Sequence, residues 1–165
     1  MIADRDRLPL SGSLPVTFLK KFASIVVTLL VKSVAGVLGR EAVRGTFSAK
    51  RETDLIRQVA AANLAAVELV KPQLPMRLDE VTTFIDIRAV EERLIYVFEF
   101  DLASSDTSVD WQAFNTEMGI NLKNQVCANR DMAFAIRSGA RYIYTYKTLD
   151  DVDIFTISIS SLDCP

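Results

Sequence analysis

The chain has 165 residues, half of them apolar, and a formal net charge of −2; this suits one domain with a short appendage and is too apolar for bulk disorder. It contains no histidine and only two cysteines, which excludes Ser-His-Asp and Cys-His catalysis and leaves too few ligands for a structural zinc. Residues 1–51 carry nine Lys/Arg against three Asp/Glu, and residues 52–165 carry ten against eighteen. A basic front before an acidic body suits a tether near anionic lipid and argues against nucleic-acid binding.

Residues 1–21 read as a basic cytoplasmic tail. Phe22 to Gly39, FASIVVTLLVKSVAGVLG, follows with Lys32 as its one charge. As a helix these residues would extend about 27 Å, close to a bilayer's hydrocarbon core of roughly 30 Å. Strongly apolar side chains contribute about −0.3 to −0.6 kcal/mol each to insertion, and a central lysine costs about 2.5 to 3.5 kcal/mol. The sum lies near zero, so three readings stand. The first is a transmembrane or signal-anchor helix in the bacterial inner membrane. The second is a signal peptide cleaved near Ala35. The third is an amphipathic helix with Lys21, Ser24, Thr28, Lys32 and Gly36 on one face. The same small-residue stripe would permit a homo-oligomer through this helix. Charges flank the segment on both sides and leave its orientation open.

The body, residues 48–165, begins with an Ala-rich helix from Ser48 to Val70, stopped by Pro72 and Pro75. Val81 to Ala89 alternates as a strand, with Val81, Thr83, Ile85 and Ile87 on one face. Glu91 and Glu92 form a polar connection. Leu94, Tyr96, Phe98 and Phe100 then share one face of a second strand. After a polar loop, Ser108 or Asp110 caps a helix whose stripe is Trp111, Phe114, Met118, Leu122 and Val126. A short helix capped by Asn129 or Asp131 stops at Gly139. Arg141 to Lys147 and Val152 to Ser161 complete a second hairpin. The expected class is α+β: a four-stranded antiparallel sheet with helices packed on one side.

Cys127, at a helix end, and Cys164, beside the C-terminus, pair as a disulfide if the body is extracytoplasmic. Closing that loop would contribute about 4 kcal/mol in the chain-entropy picture. Asp79, Glu80 and Thr82 follow the proline pair; they read as a turn carboxylate with its neighbours, or as a ligand contact. Tyr142, Tyr144 and Tyr146 line one strand face, as a packed side of the sheet or as an aromatic binding platform. Asp150, Asp151 and Asp153 contain too few oxygens for an EF-hand loop and read as a solvated turn. No catalytic residue, metal or cofactor is assigned.

Leu74-Pro75-Met76-Arg77-Leu78-Asp79-Glu80-Val81-Thr82, the later Val126-Cys127, the Tyr142, Tyr144, Tyr146 strand and the terminal Leu162-Asp163-Cys164 carry a resemblance. The chain resembles a group of small uncharacterised bacterial envelope proteins with an N-terminal membrane segment, an LPxxxDxxT element and two cysteines. Asp150-Asp151 stands where that pattern usually has a glycine. The resemblance implies an envelope location and a shared fold, and no activity. The leading functional expectation is a membrane-anchored extracytoplasmic protein that binds an envelope partner, with the bilayer held through residues 22–39. The alternatives are a secreted or periplasmic domain released near Ala35, acting as an inhibitor or ligand carrier, and a histidine-free hydrolase.

Overall fold

The computed structural model describes residues 49–107 and 109–164; the stretch 22–39 and its expected roles as anchor and oligomer contact lie outside them. Helix α1 spans Ala49–Val70. A 3-10 turn at Lys71–Gln73, with Pro72 inside it, ends the helix because proline lacks the amide the ladder needs. Strand β1 is Met76–Arg77, β2 is Thr82–Val90 and β3 is Arg93–Phe100. Helices α2 (Trp111–Ala128) and α3 (Arg130–Arg137) follow, then β4 (Arg141–Thr148) and β5 (Asp153–Ile159).

The five strands form one sheet in the order β1-β2-β3-β4-β5. The class is α+β, but the expected four-stranded antiparallel sheet is corrected in two respects. A two-residue strand, β1, pairs with β2 through Met76↔Phe84 and Arg77↔Thr83. More consequentially, β3 and β4 run parallel, in register from Arg93↔Arg141 to Phe100↔Thr148. The reason is the connection: residues 101–140 include two helices, long enough to carry the chain back to the start of β3, as a parallel pairing requires. The two flanking pairings, β2 with β3 and β4 with β5, are antiparallel.

A second correction lies in β2. Strict alternation would put Val81, Thr83, Ile85 and Ile87 together. A bulge between Phe84 and Asp86 instead buries Thr82, Phe84 and Ile87 on the same side, because one extra residue flips the face of everything after it. The hairpin to β3 turns on Glu91 and Glu92 alone, with Val90 opposite Arg93 and Glu91 at φ 56.

The core lies on one face of the sheet. Leu94, Tyr96, Phe98 and Phe100 of β3 meet Tyr142, Tyr144 and Tyr146 of β4 in a parallel aromatic ladder. Ring centroids are 5.0 Å apart for Tyr96–Tyr144 and 5.2 Å for Phe98–Tyr146. Val59 and Ala66 of α1, Phe114, Met118, Leu122 and Val126 of α2, and Met132, Ala135 and Ile136 of α3 belong to the same cluster. All three helices therefore pack on that face. The small side chains of Ala62 and Ala66, both buried, let α1 approach β2 and β3 closely.

Candidate functional site

Helix α2 starts where Asp110 Oδ1 accepts the amides of Gln112 and Ala113 at 3.1 and 3.0 Å, the usual work of an N-cap carboxylate. Its buried stripe repeats at four residues: Phe114, Met118, Leu122 and Val126. A neighbouring stripe, Asn115, Thr116, Gly119, Ile120 and Lys123, turns toward β5 instead. Together with Thr156, Ile157 and Ser158 it lines a groove of about 310 Å³. Ile120 is 58% exposed there. At Gly119 a Cβ would meet no atom within 4 Å, so the missing side chain leaves a notch in the helix wall.

β5 is the last strand of the sheet among the described residues. Its inward side chains Ile157 and Ile159 are buried, and Thr156 and Ser158 are exposed. Thr156 Oγ1 lies 3.4 Å from Thr145 Oγ1 of β4. Lys123 Nζ lies 2.8 Å from Asp163 Oδ1. The other Asp163 oxygen accepts the Ser160 amide at 2.9 Å and the Ser160 hydroxyl at 3.2 Å. The hydrogen bond from Lys123, then the one from the Ser160 amide, hold the Asp163 carboxyl below its ordinary value. One residue on, Cys164 is joined to Cys127 at the end of α2, with Cα atoms 5.2 Å apart.

The residues singled out in the sequence are not gathered at this groove. Tyr142, Tyr144 and Tyr146 are 0% exposed, so their rings form the packed face of the sheet and offer no surface for a ligand to stack on. Burial pushes their hydroxyls, and that of Tyr96, well above the ordinary tyrosine range. Asp79 sits in the turn before β2, where Oδ1 accepts the Val81 amide at 2.9 Å. Thr82 is fully buried and pairs with Phe100. Strand β3 separates both from the tyrosines on β4. Asp150 accepts the Ser104 amide at 3.0 Å and its hydroxyl at 2.6 Å, while Asp151 and Asp153 face Lys147 at 2.7 and 3.5 Å. Asp151 and Asp153 thus share Lys147, and Asp150 is held separately by Ser104. No group of three or more ligating side chains suited to a metal occurs among the described residues.

The groove was missed in the sequence because it lies between elements far apart in the chain. The local signal was present: an isoleucine beside a glycine, one position off the buried stripe of an amphipathic helix.

No protein-family model matches the chain, and no curated protein matches it in sequence. Solved structures do share its fold. A Pseudomonas aeruginosa protein described as secreted superposes with a TM-score of 0.55 at 13% identity, over 72% of this chain and 100% of that one. The type II secretion system pilotin AspS of Vibrio cholerae gives 0.51 at 12% identity, over 68% and 97%. The type II secretion pilotin EpsS of Vibrio vulnificus gives 0.55 at 10% identity, again over 68% and 97%. At these identities the likeness is one of fold. No helix among the described residues is long and apolar enough to cross a membrane.

Proposed function

We propose that this chain is an extracytoplasmic protein of the bacterial envelope that acts by binding a protein partner and catalyses nothing, with residues 22–39 serving as its anchor. The observation that carries the reading is the Cys127–Cys164 disulfide, since such bridges persist where the compartment is oxidising. Two further features support it. The groove between α2 and β5 is lined by amide, hydroxyl and aliphatic groups, and its one ammonium is held by Asp163; that mixture suits a protein surface. Two of the proteins that share the fold are type II secretion system pilotins, which favours a place beside other envelope proteins over an enzymatic role.

The third similar structure, described as secreted, favours a second reading: release from the membrane after cleavage near Ala35. One experiment addresses both. Cells are treated with an alkylating reagent before lysis, then fractionated, and the mature N-terminus is sequenced. The anchored reading expects both cysteines to stay unalkylated until a reductant is added, and an intact N-terminus in the membrane fraction. A chain starting at Gly36 in the soluble fraction supports release, and two free thiols in native protein overturn both.

A further inference from the structure

We infer that β5 accepts an extended segment of the partner protein as a sixth strand, with an aliphatic side chain of that segment seated against Ile120 in the notch at Gly119. The inference rests on the protein-binding reading above and names its surface.

The two edges of the sheet are built differently. The β1 edge is two residues long, follows Pro75, and is closed by Arg77. The Arg77 guanidinium donates to the Asp79 carbonyl at 2.7 Å, to the Glu80 carbonyl, and to Asp101 Oδ2 at 3.4 Å. Short length, proline and charge are the usual means of blunting an edge. β5 has none of these along Ile154–Ile159. Its pairing with β4 is regular from Phe155 to Ile159, the one irregularity falling before that stretch. Among the described residues no strand lies beyond it, and no turn or loop backbone bond reaches Ile154–Ile159. An edge of this kind offers alternate amides and carbonyls that only another extended backbone satisfies in register; a helix has already used its own.

The groove lies along this edge, and its wall favours a single segment over a second copy of the sheet. Helix α2 stands beside β5, leaving about 310 Å³, room for one or two side chains of a strand whose backbone runs along the open edge. The wall also supplies selectivity. Side chains on an added strand alternate between the two faces of the sheet, so those on the helix side meet α2, where the Gly119 notch and the exposed Ile120 form an apolar seat.

The test uses the full disulfide-bonded chain and, as probe, synthetic peptides of about eight residues, the length of a strand, selected on it from a random displayed library. Gly119→Leu fills the notch, and the open space at its Cβ position leaves the fold undisturbed, which an unfolding midpoint no lower than that of the parent protein checks. Expected are a drop in peptide affinity of about tenfold or more in Gly119→Leu, a similar loss when alternate peptide amides are N-methylated, and slowed hydrogen exchange at Ile154–Ser158 on binding. The inference is overturned by a selection that yields no binder, by peptides indifferent to both changes, by a peptide bound as a helix, or by β5 amides already protected through self-association. A partner captured in cells that protects another surface sinks the strand proposal and leaves protein binding standing.

Discussion

Lys123 and Asp163 lie 2.8 Å apart, one residue before Cys164 closes on Cys127. The ion pair and the disulfide together hold the tail after β5 against α2, and so hold the two walls of the groove in place. Neither acts through burial alone: the Asp163 side chain keeps 21% of its exposure, and its geometry comes from the Ser160 amide and the lysine together.

That arrangement carries a pH dependence. A carboxyl depressed in the folded state binds fewer protons there than in the unfolded chain. Asp163 therefore stabilises the fold above the ordinary aspartate value of 3.8, and that contribution is lost as pH falls through the folded value. Urea unfolding from about pH 5 to about pH 3 should show a falling midpoint, with a shallower fall in Asp163→Asn. At neutral pH this variant should cost about 1 kcal/mol. An equal slope in both proteins would remove Asp163 from the account.

Reduction should destabilise the domain. Breaking the Cys127–Cys164 bridge, whose residues are 37 apart in sequence, frees the unfolded chain. Cys127→Ser with Cys164→Ser should lower unfolding free energy by about 2–4 kcal/mol. Denaturant titration of the double variant against the oxidised protein measures it.

The tyrosine ladder gives two expectations. The hydroxyls of Tyr96 and Tyr144 are buried without a hydrogen-bond partner among the described protein groups, so Tyr96→Phe or Tyr144→Phe should leave stability unchanged or raise it by about 1 kcal/mol. Thermal unfolding decides, and a loss of several degrees would show that these hydroxyls are bonded after all.

The same hydroxyls titrate above their ordinary value of 10.0, chiefly through burial. The unfolded chain releases these protons first, so stability is intact below about pH 10 and declines above it. The tyrosinate absorbance should rise together with loss of near-ultraviolet circular dichroism. Ionisation of all four tyrosines in a still-folded protein would contradict the burial.

Two glycines should respond with opposite sign. Gly139 ends α3 at φ +105, a conformation that penalises any Cβ, so Gly139→Ala should cost about 1 kcal/mol or more. Gly119 lies inside α2, with open space at its Cβ position, so Gly119→Ala should stabilise by about 0.5–1 kcal/mol. Chemical denaturation of both, side by side, is the check.

The sequence by itself determined the elements and the inward faces of most of them. Pro72 ended α1, a pair of candidate caps marked the start of each of α2 and α3, of which the structure uses Asp110 and Asn129, and the period-two aromatics of β3 and β4 marked the buried side, because propensity, caps and alternation are local properties. It also paired Cys127 with Cys164, once the apolar front suggested export. Other features depended on contacts between distant segments. The bulge at Ile85 sent Ile87 inward, and the crossover through α2 and α3 set β4 parallel to β3. Full burial turned Tyr142, Tyr144 and Tyr146 into core. The groove belongs to this second class. Gly119 and Ile120 on one helix mean little until the tertiary structure lays a bare strand edge beside them.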